Sequence, residues 1–170
     1  AVNLGIAKII LIGNKDDIKQ QLAKFPCTRP DHIDLHDPSN SPLKEEFSKS
    51  YYQLRKHKGI AAEEAKKQAS SSLIYAALLV KNGYADGTLS GATETTSNVV
   101  KTAIEVIGKA SNVNTVSSCF LIFPKSYEPM IYADCGLIIE PDENELVDIT
   151  IAASQSCKSL LSTDPRVALL

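Results

Sequence analysis

A basic run at the end of a predicted helix could bind an anion. The run is Arg55-Lys-His-Lys-Gly59. Four successive helical residues cannot all face one ligand, so at most two of them can point into a site. Arg55 is the preferred candidate, because a planar guanidinium grips phosphate or carboxylate through two parallel hydrogen bonds. The alternative is a solvated helix end whose positive charges suit the helix dipole.

A Ser-Gly turn is the second candidate anion site. A short predicted strand ends at Ser90 and Gly91, and a helix begins near Thr95 and Thr96. Glycine lets the backbone approach a ligand, a helix start offers N–H groups, and the hydroxyls add donors. A tight turn followed by an ordinary N-cap explains the pattern equally well.

Three further residues carry weaker signals. Lys101 follows the Ser-Gly turn by about two helical turns and could add positive charge, although a single lysine is typical of a surface. Asp134 and Cys135 end a predicted strand, where a parallel sheet presents groups to ligands. A structural role for Asp134, such as holding a loop, is favoured over substrate binding. The three histidines lack ligand spacing, so no metal is predicted.

Composition limits the classes of partner. The net charge of −2 argues against nucleic acid and anionic membranes as general partners. Apolar runs such as Leu73–Val80 fall short of the roughly 18 residues that span a bilayer. The four cysteines are scattered and never spaced as CxxC, which favours reduced thiols in a cytoplasmic protein.

Strand-like and helix-like segments alternate, which predicts an α/β fold with a parallel sheet. The predicted strands are Gly5–Gly13, Ile33–Leu35, Ala85–Leu89, Thr115–Phe123, Met130–Cys135 and Arg166–Leu170. The predicted helices are Asp16–Phe25, Leu43–Lys58, Ala61–Asn82, Thr95–Gly108 and Asp142–Ser162. The apolar run to Gly13 is typical of a strand covered on both faces. A hairpin around Pro124–Pro129 would make the sheet mixed.

Four segments together resemble the phosphate acetyltransferase family in order and spacing. They are Tyr52-Gln-Leu-Arg-Lys-His-Lys-Gly59, Ala85-Asp-Gly-Thr-Leu-Ser-Gly-Ala92, Ile131-Tyr-Ala-Asp-Cys-Gly136 and Asp164-Pro-Arg-Val-Ala-Leu-Leu170. The resemblance covers nearly the whole chain. It implies a two-domain enzyme with a three-layer α/β/α sandwich, similar in fold to isocitrate and isopropylmalate dehydrogenases. Residues 1–110 would form most of the first domain, and residues 111–170 the start of the second.

The resemblance also implies a reaction. Phosphate would attack the acetyl carbonyl of acetyl-CoA directly in a ternary complex, so catalysis would rest on positioning and charge stabilisation. Acetyl-CoA and phosphate are the implied substrates, no cofactor is expected, and a homodimer is expected because homodimers are common in the family.

The family's site residues carry over only in part. Arg55 matches a substrate-site arginine, and the residues of the Ser-Gly turn match by position. Family members usually carry histidine where this chain has Glu94, and arginine where it has Lys101. Lysine keeps the charge but loses the bidentate fork. The family's catalytic serine, arginine and aspartate are expected beyond Leu170, and a further strand and helix are expected before Ala1.

Two other functions stay open. A regulatory acyl-CoA-sensing domain, like the one attached to some malic enzymes, shares the fold and can lose catalytic residues, as Glu94 and Lys101 suggest. Phosphate butyryltransferase differs in its acyl pocket and not in its chemistry. A dehydrogenase of the related fold would need an acidic metal cluster that the sequence lacks.

Overall fold

The computed structural model describes residues 1–111 and 113–170. The chain divides into two compact units, Ala1–Gly108 and Lys109–Leu170. The sequence predicted a domain boundary close to this point, between residues 110 and 111. That the two units belong to separate domains of a larger enzyme stays a prediction.

The sheet of unit 1 has two parallel strands, β1 (Ile9–Ile12) and β2 (Ile33–His36). Ile9 lies opposite Ile33, and Ile12 lies opposite His36. Both strands were predicted, although β1 is shorter than expected. Its four residues are all half-buried, so both faces of β1 are partly covered in the described part of the chain. A continuous apolar run does not by itself reveal how much of each face is covered.

Helices make up most of unit 1. They are α1 (Lys15–Leu22), α2 (Lys44–Arg55), α3 (Ala62–Ala69), α4 (Ser72–Lys81) and α5 (Thr96–Thr102), and α5 continues as a π-helical turn, Ala103–Ile107. Asn14 caps α1 by accepting hydrogen bonds from the N–H groups of Asp16 and Asp17, at 3.0 and 3.1 Å. After α2, a short 3₁₀ turn ends at Gly59, whose φ of 79° is left-handed.

The predicted single helix Ala61–Asn82 is wrong, because the chain breaks between α3 and α4. The hydroxyl of Ser70 donates to the carbonyl of Lys66 at 3.1 Å. Ser71 then has extended backbone angles, φ −73° and ψ 142°, and stands as the N-cap of α4. Serine side chains compete for backbone hydrogen bonds, which explains why consecutive serines interrupt the helix.

Two predicted strands, Ala85–Leu89 and Arg166–Leu170, do not form in the described part of the chain. Neither segment pairs with a strand there, and the side chain of Leu89 is fully exposed. Strand formation depends on a pairing partner and on a face to bury. The local composition of the two segments therefore overestimated their tendency to form strands.

The core of unit 1 is built mainly by helices. It consists of Phe47, Tyr51, Ala65, Ala69, Tyr75, Ala77, Leu78, Leu79 and Val106. Small alanines on α3 let that helix pack closely against α2. The middle of α4, Tyr75–Leu79, is buried on all sides, which accounts for its unbroken apolar sequence.

Unit 2 is an antiparallel hairpin followed by a long helix. Its elements are β3 (Cys119–Ile122), β4 (Met130–Ala133) and α6 (Glu143–Leu161), and α6 packs on β4. The hairpin and the helix were predicted, but the first strand begins later than expected. A capping box starts α6: Asp142 accepts from the N–H of Glu145 at 2.8 Å, and Glu145 accepts from that of Asp142 at 3.0 Å.

The chain is therefore a mixed α/β protein, as predicted. In the described residues the strands form two separate sheets and not the single mixed sheet that was expected. The three-layer sandwich stays a prediction. None of the helices described is both long and apolar enough to cross a membrane.

Phe47→Ala should lower the free energy of unfolding by about 3 to 5 kcal/mol, because a fully buried ring between α2 and α4 is lost and a cavity remains. Urea unfolding followed by far-UV circular dichroism measures the change. Phe25→Ala is the matched control: the same ring is removed from a side chain that is 69% exposed, and the change should stay within about 0.5 kcal/mol. Equal losses in the two variants would contradict the assigned core.

Candidate functional site

Arg55 lies at the end of α2 on the face that packs into unit 1. Phe47 and Tyr51 lie eight and four residues before it on the same helix face and are buried. The side chain of Arg55 is consequently only 22% exposed, whereas Lys56, His57 and Lys58 are exposed. The structure thus turns one residue of the basic run, Arg55, away from solvent.

Glu105 is the partner of Arg55. Its Oε1 atom lies 3.0 Å from Nη2 of Arg55, and the two side chains are both 22% exposed. Glu105 comes from the π-helical turn that follows α5. Sequence reasoning singled out Lys101 but missed Glu105. Its four-residue spacing from Lys101 was the available signal, since helical residues so spaced share a face.

A small cavity of about 220 Å³ lies beside this ion pair. Its lining consists of Tyr51, Gln68, Ser71, Leu73, Ile74, Glu94, Asn98, Lys101, Thr102 and Glu105. Of the residues predicted for the site, Lys101 lines this cavity, and Arg55 contacts its wall through Glu105. The cavity therefore brings a lysine and two carboxylates together beside the guanidinium.

The hydroxyl of Tyr51 donates a hydrogen bond to Oε1 of Gln68 at 2.9 Å. Burial raises the pKa of Tyr51; the positive charge of Arg55 opposes this effect, and the negative charge of Glu105 adds to it. The phenol therefore stays protonated near neutral pH and acts as a neutral polar group at the cavity.

The Ser-Gly turn lies in an exposed loop. Ser90, Gly91, Thr95 and Thr96 are exposed, and none of them lines the cavity. The hydroxyl of Thr95 accepts a hydrogen bond from the N–H of Asn98 at 3.2 Å, so Thr95 is the N-cap of α5. The ordinary N-cap interpretation thus describes Thr95 in this structure, and an anion site at the turn stays a prediction.

Asp134 organises a loop in unit 2. Its carboxylate accepts main-chain hydrogen bonds from Ser118, Gly136, Leu137 and Ile138 at 2.7, 2.7, 2.7 and 3.3 Å. Burial alone would raise the pKa of Asp134, but these four N–H groups stabilise the anion and lower the pKa to about 2. The geometry matches the loop-holding role that the sequence favoured.

Cys135 lies in the same loop. Its thiol is 3.2 Å from Oγ of Ser118, which itself lies 3.2 Å from both carboxylate oxygens of Asp134. The side chain is half-buried. These contacts connect Cys135 to the loop and leave its predicted ligand role a prediction.

A larger cavity, of about 1340 Å³, lies within unit 2. Its walls come from β4, α6 and residues 163–170, and apolar side chains such as Ile131, Ile149 and Val167 predominate. It contains Asp134 but none of the residues predicted for the substrate site in unit 1.

Comparison with known proteins identifies the family. The family model described as phosphate acetyl/butaryl transferase matches residues 1–170. The chain belongs to this family. The phosphate acetyltransferase of Acetivibrio thermocellus is 35% identical over an alignment of 171 positions, which covers 98% of this chain and 51% of that protein. The chain thus spans about half the length of this relative.

Two solved structures of phosphotransacetylases are also similar to this member of the family. The EutD phosphotransacetylase from Staphylococcus aureus is 28% identical, with a TM-score of 0.81 over 92% of this chain and 46% of the other. A phosphotransacetylase from Streptococcus pyogenes is 26% identical, with a TM-score of 0.82 over 94% and 48%. Both likenesses extend across nearly all of this chain.

Asp134→Asn should destabilise unit 2 most near neutral pH. The pKa of Asp134 is about 2 in the folded chain against an ordinary 3.8, so its stabilising effect is complete above about pH 4 and is lost as pH falls through 2. Unfolding measured between pH 7 and pH 2 should show the difference from the wild type shrinking toward acid. Asp164→Asn, at an exposed position in the same unit, is the control. A pH-independent difference would show that the carboxylate charge is unimportant.

Proposed function

We propose that the protein containing this chain is a phosphate acetyltransferase, which transfers an acetyl group reversibly between coenzyme A and inorganic phosphate. The observation that carries the proposal is the family match, which runs from residue 1 to residue 170 without a break. The named relative and both solved structures carry the same activity in their names.

Arg55 and Lys101 are the proposed cationic groups of the substrate site. Arg55 is held half-buried beside a cavity that Lys101 lines, and both could contact phosphate oxygens of coenzyme A or of inorganic phosphate. The proposed substrate site also includes the Ser-Gly turn, because this turn resembles that of the family. Its residues are Ser90, Gly91, Thr95 and Thr96. We propose that these residues bind the substrates, and that other groups of the full-length protein act on the acetyl carbonyl.

The finer features follow from the family resemblance and are part of the proposal. They are the three-layer sandwich similar to isocitrate and isopropylmalate dehydrogenases, a site in the cleft between domains, direct attack of phosphate in a ternary complex, a homodimer and a cytoplasmic location. No cofactor is proposed beyond the acyl-CoA substrate.

Two alternative functions can be distinguished by the same assay. Phosphate butyryl transfer is supported by the family description, which covers acetyl and butyryl transfer together. A regulatory acyl-CoA-sensing domain is supported by Glu94, a carboxylate at the cavity where the resemblance leads one to expect histidine.

The deciding experiment measures release of free coenzyme A from acetyl-CoA by the full-length protein, with and without phosphate. Propionyl-CoA and butyryl-CoA are assayed alongside, and acetyl phosphate is detected by phosphorus NMR. Release that requires phosphate and is fastest with acetyl-CoA supports the proposal. Binding of acetyl-CoA without any release would favour the regulatory function, and a preference for butyryl-CoA would favour the butyryltransferase.

Arg55→Ala should reduce kcat/KM roughly 30- to 150-fold, because one charge-assisted bidentate contact, about 2 to 3 kcal/mol, is lost. Steady-state kinetics with phosphate and acyl-CoA varied in turn measures the loss. The matched control is Lys58→Ala, which removes one positive charge from the exposed end of the same basic run. Equal kinetics in the two variants would show that Arg55 is a structural residue only.

A further inference from the structure

The ion pair between Arg55 and Glu105 uses one of the terminal guanidinium nitrogens, to which an anionic ligand could also bind. Glu105 Oε1 lies 3.0 Å from Nη2, one of the two terminal guanidinium nitrogens. A phosphate or carboxylate that grips arginine with two parallel bonds uses at least one terminal nitrogen. Glu105 therefore contacts a terminal nitrogen that a bidentate ligand could also use.

The charges around the cavity balance. Arg55 and Lys101 are the cations, and Glu94 and Glu105 are the carboxylates. Glu94 accepts a hydrogen bond from Nδ2 of Asn98 at 3.1 Å, which holds it on the cavity side of α5. Glu94 and Lys101 are exposed and screened by water, so the negative charge that most affects Arg55 is that of Glu105.

Burial makes this competition strong enough to matter. An exposed ion pair contributes little because water screens it. Here the two side chains are mostly shielded, at 22% exposure each, so their attraction is less screened. An incoming anion would therefore compete with this carboxylate for the positive charge of Arg55.

We propose that Glu105 competes with the anionic substrate for Arg55 and thereby lowers the affinity of the site for that substrate. The proposal deepens the proposed function and rests on it, since it assumes that Arg55 binds a substrate anion. The ligand chemistry is a phosphate group, which inorganic phosphate and coenzyme A both supply.

The test uses Glu105→Gln in the full-length protein. Glutamine keeps the size of the side chain and its ability to accept a hydrogen bond, but it removes the competing charge. Isothermal titration with inorganic phosphate and, separately, with coenzyme A measures the affinities. The ligand whose binding Arg55→Ala weakens should bind Glu105→Gln about tenfold more tightly than the wild type.

A double variant shows whether the effect passes through Arg55. In Arg55→Ala, the additional Glu105→Gln change should give a much smaller gain in affinity, because the contested cation is gone. Glu63→Gln is the matched control: it removes the same charge from an exposed position on α3 and should leave both affinities unchanged.

Weaker binding in Glu105→Gln would overturn the proposal and show that Glu105 positions Arg55 for the ligand. Unchanged binding, or an Arg55→Ala variant that binds both ligands normally, would also overturn it. If Glu105→Gln fails to fold, as judged by circular dichroism, Glu105→Ala is titrated in its place with the same expectation.

Direct binding keeps this test separate from that of the enzyme activity. Tighter binding by Glu105→Gln in a protein without acetyl transfer would contradict only the proposed function. Phosphate-dependent acetyl transfer with no gain in affinity would contradict only the role of Glu105. In an active protein, KM for the same ligand should fall together with its dissociation constant.

Discussion

The buried ring of Tyr75 holds the elements of unit 1 together. It packs against Phe47 of α2, with ring centroids 5.0 Å apart, and it is only 1% exposed. Its hydroxyl lies 2.6 Å from Oγ of Ser41 and 3.0 Å from Nδ1 of His36. One side chain of α4 therefore contacts α2, the segment that leads into α2, and the end of β2. Since a buried hydroxyl without partners would be costly, these elements must meet at this point.

The position of Arg55 follows from this packing. Once Phe47 is fixed against Tyr75, the residues that follow at four-residue intervals, Tyr51 and Arg55, face the same interior. An apolar stripe that ends in a guanidinium brings a charge into a partly shielded place, where it needs a counter-charge. Glu105 supplies it from the π-helical turn. Under the proposed competition between Glu105 and a substrate anion, the contact that compensates the charge of Arg55 in the fold would also oppose anion binding.

Unit 2 depends more on local polar contacts than on a core. Among its described residues Ile149 is the one buried apolar side chain, while Phe120 and Tyr132, opposite each other in the hairpin, are 57% and 61% exposed. Asp134 gathers main-chain N–H groups from both sides of the hairpin and its following loop, and the capping box fixes the start of α6. These contacts define the shape of the loop that contains Cys135.

The sequence alone determined the α/β class, the strands β1 and β2, the hairpin, most helix positions and the family, because local periodicity, turn residues and spaced motifs carry that information. It also singled out Arg55 within its basic run because of the guanidinium's chemistry, while helical spacing alone did not decide which residue of the run faces inward. Only the tertiary structure decided that α3 and α4 are separate and that Ala85–Leu89 is not a strand, because backbone hydrogen bonding and strand pairing depend on partners elsewhere in the chain. It also decided the site's charge balance: Glu105 is 50 residues from Arg55, and no local pattern records a contact that arises from the packing of α2 against the turn after α5.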